Sequence, residues 1–187
     1  MLYLFQNIKK KLWFKRALKK GLKCGKNSKF SLPIYSCGLK NISIGKNFSS
    51  GPRLKLKTFT EWNRKLYAPQ ISIGNNVTIE SDCHISAINY IEIDDNVLIA
   101  SFVYISDHSH GIISKEELKY KPIDRDLYSK GPIKIGKNVW IGEKVSIMPG
   151  VSIGENSIIG ANSVVTKNIP SNCIAVGNPA RILRKID

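Results

Sequence analysis

The strongest constraint on the fold is a six-residue period of aliphatic side chains. Aliphatic residues recur at every sixth position, with one two-residue slip: Ile73, Ile79, Ile85, Ile93, Ile99, Ile105, then Ile135, Ile141, Ile147, Ile153, Ile159 and Val165. A second apolar residue often lies two positions earlier, and Gly often follows, so the unit reads V-x-I-G-x-x. Side chains two apart on a strand share a face, and Gly, Asn and Asp favour turns. Each unit therefore predicts one short strand and one corner.

Strands this short do not suit a sandwich built from ordinary hairpins. The period instead predicts three units per turn, with turns stacked at the ~4.8 Å strand spacing around a continuous aliphatic core. An antiparallel barrel of many short strands is the alternative, and six consecutive units without a slip argue against it. The pattern does not fix the hand of the coil, because general chirality rules favour right-handed crossovers.

The net charge of +15 is concentrated in the first third of the chain. Residues 1–67 carry 17 Lys and Arg against one acid, a net charge of +16, and residues 68–187 carry 12 against 13, a net charge of −1. We therefore predict two parts: a basic, partly helical N-terminal extension, 1–40, and a repeat domain, 41–187. The extension could contact an anionic membrane surface, an acidic substrate or the end of the coil. No nucleic-acid partner is expected, because no reading motif accompanies the charge.

Hydropathy and cysteine usage favour the cytoplasm. No run of about 18 apolar residues is present, the N-terminus lacks the pattern of a signal peptide, and the four cysteines form no CxxC pair. We expect a cytoplasmic protein that could also lie peripherally at the inner face of the membrane.

The C-terminal third resembles a known family. The segment Val139–Pro170, VWIGEKVSIMPGVSIGENSIIGANSVVTKNIP, and the later VGNPAR at 176–181 are similar to the hexapeptide-repeat acyltransferases. The nearest branch comprises the maltose, galactoside and xenobiotic acetyltransferases with the polysaccharide O-acetyltransferases. The resemblance covers residues 41–187 and implies an all-β, left-handed parallel β-helix, a homotrimer with active sites between subunits, acetyl-coenzyme A as donor and no metal.

The repeats are interrupted by a long loop, 106–132, that opens with SDHSHG. Acyl transfer to a hydroxyl needs a general base, and His serves best near neutral pH. By the resemblance, His108 occupies the catalytic position, and His110 could orient the substrate or the loop. Asp107 is predicted to be a poor partner for His108, because adjacent residues on a strand point to opposite faces. Glu80 and Asp82, about one turn earlier, are predicted near the acceptor.

Further residues are assigned to the donor by the same resemblance, and small or cationic side chains suit a thin, phosphorylated ligand. These residues are Trp140, Gly142, Gly160, Ala161, Thr166, Lys167, Arg181 and Arg184. We also predict a C-terminal cap over 168–187 that ends in a short helix beginning near Pro179.

The resemblance predicts an O-acetyltransferase acting on a sugar hydroxyl of a bacterial surface polysaccharide or its lipid-linked precursor. N-acetylation of a nucleotide-linked amino sugar is the nearest alternative. A zinc-dependent carbonic anhydrase using His84, His108 and His110, and a non-enzymatic scaffold, are more distant ones. His84 is otherwise expected to point outward with a structural role. The aromatic and basic segment Phe59–Tyr67 could line the acceptor site or pack as an outer loop.

Overall fold

The chain folds as a left-handed parallel β-helix with three flat faces. The computed structural model describes the backbone of residues 2–186 and the side chains of residues 8–186. The chain visits three sheets, named A, B and C, in that order, and each complete turn adds one strand to each. Neighbouring strands within each sheet pair in parallel, except for the last pair of sheet B.

The strands of the three sheets are short. Sheet A contains β1 (Lys23–Cys24), β4 (Ile42–Ile44), β9 (Gln70–Ile73), β12 (Tyr90–Ile93), β17 (Ile133–Ile135) and β20 (Ser152–Ile153). Sheet B contains β2 (Lys29–Phe30), β5 (Ser49–Ser50), β10 (Thr78–Ile79), β13 (Leu98–Ile99), β18 (Trp140–Ile141), β21 (Ile158–Ile159), β23 (Cys173–Gly177) and β24 (Ala180–Lys185). Sheet C contains β3 (Ile34–Cys37), β6 (Leu54–Thr58), β11 (His84–Ala87), β14 (Tyr104–Ser106), β19 (Ser146–Ile147) and β22 (Val164–Val165).

The predicted six-residue period is confirmed as the core of the β-helix. On sheet C, for example, Ile105 pairs with Ile147, and Ile147 pairs with Val165. All three side chains are fully buried. Because each inward side chain lies over its equivalent in the next turn, the aliphatic core is continuous along the axis.

The corner between sheets A and B carries a ladder of asparagines that the turn pattern predicted only as turn residues. Each asparagine adopts a positive φ, near 60°, and the Nδ2 of every member but the last donates to the Oδ1 of the asparagine in the next turn at 2.9–3.2 Å. The members are Asn27, Asn47, Asn76, Asn96, Asn138, Asn156 and Asn172. Asn tolerates the left-handed conformation better than most residues, and its amide can both donate and accept. Asparagine therefore meets two requirements of this corner: a left-handed backbone conformation and a hydrogen bond to the turns on either side.

The β-helix begins earlier than the sequence predicts. β1, β2 and β3 lie within residues 23–37 and pair with the next turn, so this part of the 1–40 extension is the first turn of the β-helix. The predicted helix is present as α1 (Leu2–Lys19). It ends at Lys19 and is capped by Gly21, whose φ is +90°, with the Leu22 amide donating to the Ala17 carbonyl in the manner of a Schellman motif.

Helix α1 closes the N-terminal end of the core. The rings of Trp13 and Phe14 lie 5.1 and 5.6 Å from that of Phe30, and Ala17 is buried. Ile8 and Leu12 of the same helix are about half exposed. Within the part of the chain that the structure describes, no helix combines the length and apolarity needed to span a bilayer.

The predicted C-terminal helix is wrong, because the segment is strand β24. It pairs antiparallel with β23 after a turn at Gly177-Asn178-Pro179, where Gly177 has φ +103°. β23 is the last parallel strand of sheet B and would otherwise expose a row of unpaired backbone groups. Pairing satisfies those groups, and this outweighs the helical preference of ARILRK.

Two excursions leave the β-helix at the corner between sheets C and A, here called the C–A corner. The first is the hairpin of β7 (Glu61–Trp62) and β8 (Lys65–Leu66), and the second carries β15 (Ser109–His110) and β16 (Leu127–Tyr128). Short 3₁₀ helices span Leu39–Asn41, Glu117–Lys119 and Pro122–Asp124. The excursions are joined by hydrogen bonds from Trp62 Nε1 to the Arg125 carbonyl, 3.2 Å, and from the Tyr67 hydroxyl to the Leu127 carbonyl, 3.0 Å.

Candidate active site

His108 lies at the C–A corner, immediately after β14, with its ring held from one side. Its Nδ1 is 2.9 Å from Oδ1 of Asp107, and the side chain is only 10% exposed. The carboxylate is fully buried and accepts the backbone N–H groups of Ile88 and Asn89, each at 2.9 Å. Three N–H donors therefore fix the carboxylate. Because it accepts a hydrogen bond from Nδ1–H, Nε2 is the ring nitrogen that carries the lone pair and can take a proton.

The prediction that Asp107 is a poor partner for His108 is therefore wrong. It assumed that the strand continued through both residues, whereas β14 ends at Ser106. Beyond that point the alternation of strand side chains no longer applies. The available signal was the position itself: an Asp-His pair at the first two residues of an excursion can turn both side chains towards the same corner.

The free side of His108 faces polar and aromatic groups. Its Nε2 lies 3.4 Å from the hydroxyl of Ser86, a buried residue of β11 that the sequence did not single out. The ring of Phe59, from the start of the first excursion, stands edge-on at 6.0 Å. Trp62 makes the same kind of contact with His110, at 5.2 Å. Residues of Phe59–Tyr67 thus contact both histidines of the second excursion.

His110 occupies a more open position than His108. It is exposed in β15 and lines a cavity of about 490 Å³ with Ile112, Leu118 and Arg125. A cavity of this size falls within the range of small-ligand sites. Among the side chains described, those of residues 8–186, no three of His, Cys, Asp or Glu converge as a metal site requires.

His84 points outward as predicted, but it is half-buried and lies near the site. Its ring packs edge-on against Tyr104 at 5.4 Å. Burial, together with the positive charges of Lys57, Lys55 and His108, holds the pKa of His84 below its usual value. His84 is therefore mainly neutral near pH 7.

Glu80 and Asp82 lie at the corner between sheets B and C, which precedes β11, whereas His108 follows the neighbouring strand β14. Asp82 makes two 2.6 Å contacts with the guanidinium of Arg53, and this hydrogen bonding lowers the pKa of its carboxyl. Within one chain, the two acids therefore lie where the strands of sheet C begin, and His108 lies where they end.

The residues assigned to the donor are divided between three places. Thr166 and Lys167 are exposed at the C–A corner, in the second turn beyond His108. Trp140 is 50% exposed on the outer face of sheet B, and Arg181 and Arg184 lie on β24 of the same sheet. The small residues Gly142, Gly160 and Ala161 lie at the corner between sheets B and C. One chain does not bring these groups together around His108.

The two glycines have a clear structural requirement. A Cβ added to Gly142 would lie 2.7 Å from the Ala161 nitrogen, and one added to Gly160 would lie 2.7 Å from Val176. The close approach that these glycines permit is therefore to the next turn of the same chain.

Comparison with known proteins identifies the family. The sequence model "Bacterial transferase hexapeptide (six repeats)" matches residues 132–167. The chain is 35% identical over 157 residues to the "Putative lipopolysaccharide biosynthesis O-acetyl transferase WbbJ" of Escherichia coli K12, covering 81% of this chain and 76% of the relative. It is 39% identical to the galactoside O-acetyltransferase of the same organism, covering 87% of this chain but only 63% of that enzyme.

Solved structures agree in fold. The maltose O-acetyltransferase of Clostridium difficile 630 matches with a TM-score of 0.56 and 34% identity, covering 87% of this chain and 71% of that one. A galactoside acetyltransferase in complex with coenzyme A matches with a TM-score of 0.54 and 36% identity, covering 88% of this chain and 65% of that one. The Bacillus cereus N-acyltransferase AntD matches with a TM-score of 0.72 and 22% identity, covering 92% of this chain and 89% of that one. At this identity the match is a likeness of fold alone. The extent and identity of these matches place the chain within the hexapeptide-repeat acyltransferase family of enzymes.

Proposed function

We propose that the chain transfers an acetyl group from acetyl-coenzyme A to a sugar hydroxyl, with His108 as general base. The acceptor hydroxyl gives its proton to Nε2 as its oxygen attacks the thioester carbonyl. The C–S bond then breaks, and the protonated imidazole returns the proton to the coenzyme A thiolate. Neither a metal nor a protein nucleophile takes part in these steps.

The observation that carries the proposal is the Asp107–His108 pair. A hydroxyl has a pKa far above neutral, so a base must take its proton while the new bond forms. The 2.9 Å contact to a buried carboxylate fixes the ring and its tautomer, and that carboxylate can stabilise the imidazolium that forms. Such a pair at the mouth of an excursion, within an acyltransferase fold, suits direct transfer from donor to acceptor.

The donor assignment is supported by relatives solved with coenzyme A and by the cations beyond His108. Lys167 lies in the second turn beyond His108, about 10 Å along the axis at the usual strand spacing. The pantetheine arm could lie over this distance, with the phosphates near Lys167, Arg181 and Arg184. Trp140 would then contact the arm near its acyl end.

The division of the donor residues between the C–A corner, sheet B and the corner between sheets B and C supports a homotrimer. Trp140 and the two arginines lie on sheet B, and His108 lies at the far end of sheet C. A second copy that packs its sheet B face near the C–A corner of the first would bring the two sets together. Light scattering should then give three times the chain mass, and a monomer that turns over substrate would contradict this arrangement.

The acceptor class rests on the relatives, which include enzymes named for lipopolysaccharide, galactoside and maltose. We propose a bacterial surface polysaccharide unit or its lipid-linked precursor, modified in the cytoplasm. The fold of AntD, solved with an amino-sugar nucleotide, makes N-acetylation the alternative. A panel containing both hydroxyl and amine acceptors separates the two by product mass.

A peripheral membrane contact through α1 is supported by its exposed lysines, Lys9, Lys10 and Lys11. Each such charge contributes about 1 kcal/mol near an anionic surface. Reversing all three to Glu should abolish sedimentation with anionic vesicles. Reversing the exposed Lys134, Lys137 and Lys144 of the β-helix is the matched control. Equal sedimentation of both variants would exclude a role for α1.

The central experiment combines His108→Ala with titration of acetyl-coenzyme A. Turnover should fall by roughly 10²–10⁴ if the side chain is the base. Calorimetry should show donor binding unchanged, because the cations lie two turns away, and this provides the control for folding. Near-normal turnover would refute the role of His108, and absence of donor binding in the unmodified protein would refute the enzyme class.

A further inference from the structure

The outer face of sheet C carries two lysines beside His108. Lys55 and Lys57 of β6 point outward, alternating with the buried Leu54, Leu56 and Thr58. Lys57 pairs with Ser86 on the neighbouring strand, and the Ser86 hydroxyl is 3.4 Å from Nε2 of His108. Since paired strands lie about 4.8 Å apart, the side chain of Lys57 starts one strand away from Ser86, whose hydroxyl faces the proposed base, and two strands away from β14, which His108 follows.

The positive charge on this face is not balanced locally. Neither lysine forms an ion pair within the described residues, and the strands of sheet C contain no Asp or Glu. Asp82 borders the face, but its carboxylate is bound to Arg53. Lysines without a local ion pair, on a strand near a proposed base, suit an anionic ligand from outside the chain.

His84 adds an unused polar atom to the same face. It lies in register between Lys55 and Tyr104, and its Nε2 is buried with no hydrogen-bond partner among the described residues. Buried polar atoms usually find a partner. A neutral imidazole can donate or accept as a ligand requires, and the lowered pKa of His84 is consistent with the neutral form.

Aromatic rings complete the arrangement. Tyr35 is 50% exposed and in register with Lys55, and Tyr104 is 38% exposed on the other side of His84. Four consecutive turns thus present Tyr35, Lys55, His84 and Tyr104 in one row. Such a row, with Lys57 two residues along the strand from Lys55, offers apolar ring faces for sugar rings and two cations for an anionic group near the proposed base.

We propose that the acceptor is an anionic sugar, bearing a phosphate or a carboxylate, which lies on the outer face of sheet C with its charge on Lys55 and Lys57 and its polar edge on His84. This rests on the proposed function and deepens it, because it assigns a charge to the acceptor. The donor residues of the C–A corner, Thr166 and Lys167, lie on the other side of His108 along the axis. The two lysines therefore lie on the acceptor side of the base.

The test uses direct binding, so that it does not depend on turnover. Galactose 1-phosphate, galacturonate and galactose are titrated by calorimetry into the full-length protein saturated with coenzyme A. At least one anionic sugar should bind saturably and about tenfold or more tighter than galactose, because hydrogen bonds to charged groups are among the stronger ones. The two anionic probes distinguish a phosphate from a carboxylate.

Variants locate the charge. Lys57→Met and Lys55→Met should each weaken binding of the anionic sugar by about tenfold or more. The matched control is Lys134→Met, which replaces an exposed lysine on sheet A. His108→Ala should leave this binding intact while turnover falls, which separates the acceptor proposal from the general-base proposal. Equal binding of galactose, or failure of both anionic sugars to bind, would overturn the inference even if acetyl-coenzyme A binds normally. So would a change of oligomeric state in the lysine variants by light scattering, because it would assign the lysines to a subunit contact.

Discussion

Replacing Asp107 by Asn tests the central geometry most directly. The carboxylate is fully buried and receives three N–H groups: two from the backbone of Ile88 and Asn89, and one from the His108 ring. An Asn side chain offers one oxygen and one NH₂ group in the same space. Whichever way it is turned, its NH₂ faces a backbone N–H, that of Asn89 or that of Ile88, and in the second orientation it also faces Nδ1, so His108 must adopt the other tautomer.

The expected effects can be estimated separately for stability and for turnover. A buried donor left without an acceptor costs about 1–3 kcal/mol, so the variant should still fold at moderate temperature. The same substitution beside the catalytic His of a serine-protease triad lowers kcat by about 10⁴ through the wrong tautomer. We expect a fall of roughly 10²–10⁴ in turnover for Asp107→Asn, with donor affinity unchanged.

The assay measures release of the coenzyme A thiol at saturating acetyl-coenzyme A, alongside thermal unfolding. Asp95→Asn is the matched control: its carboxylate accepts the Asn75 backbone N–H at 2.6 Å at another corner, away from His108. The control should lose some stability and no turnover. The reasoning fails if Asp107→Asn folds and keeps kcat within about threefold, or if Asp95→Asn loses turnover equally.

Three further predictions concern the β-helix itself. Asn138→Ala removes two ladder hydrogen bonds and strains a position with φ 59°. The free energy of unfolding, measured with urea, should fall by about 1–3 kcal/mol. Asn138→Gly should be more stable than Asn138→Ala by about 1 kcal/mol, because glycine adopts the positive φ without strain. Gly142→Ala places a Cβ 2.7 Å from the Ala161 nitrogen, so its free energy of unfolding should fall by about 1–3 kcal/mol. An unchanged free energy of unfolding would contradict this. His84 has a folded pKa below its unfolded value of about 6.5, so its contribution to stability is intact above that pH and is lost as pH falls through the folded pKa. His84→Asn should flatten the urea-midpoint profile below pH 6.5, and an unchanged acid profile would contradict this.

The β-helix was predictable because every level of the sequence agrees on it. Each hexad supplies a strand, a corner and an inward side chain, so local preference and global packing coincide. The six-residue period could also have shown which of the assigned donor residues lie together. Three hexads make one turn, so positions 18 apart stack. Gly142 and Gly160 differ by 18 and do stack, whereas Trp140 and Lys167 differ by 27 and fall in different places.

The errors arose where the repeat stops and the local pattern no longer decides. Asp107 was misjudged because strand alternation was extended beyond Ser106, the last strand residue. The C-terminal segment was assigned as a helix because ARILRK has good helix formers, and the open edge of β23 could not be read from the segment alone. The contact between the Phe59–Tyr67 hairpin and residues 109–128 joins positions about 60 apart, and nothing in the local sequence specifies it.

The corner between the two excursions gives the last prediction. Two residues, Ile88 and Asn89, connect β11 to β12 there, and this tight connection points two backbone N–H groups at Asp107. The proposed catalytic geometry therefore depends on a two-residue connection that lies between two long excursions. Inserting one Gly between Ile88 and Asn89 should displace those donors, release the carboxylate and lower turnover by about 10²-fold or more, since the base loses its orientation. A Gly inserted after Lys115, an exposed residue of the second excursion, is the control and should leave His108 in place. If both insertions fold and turn over alike, the backbone clamp on Asp107 does not position the base.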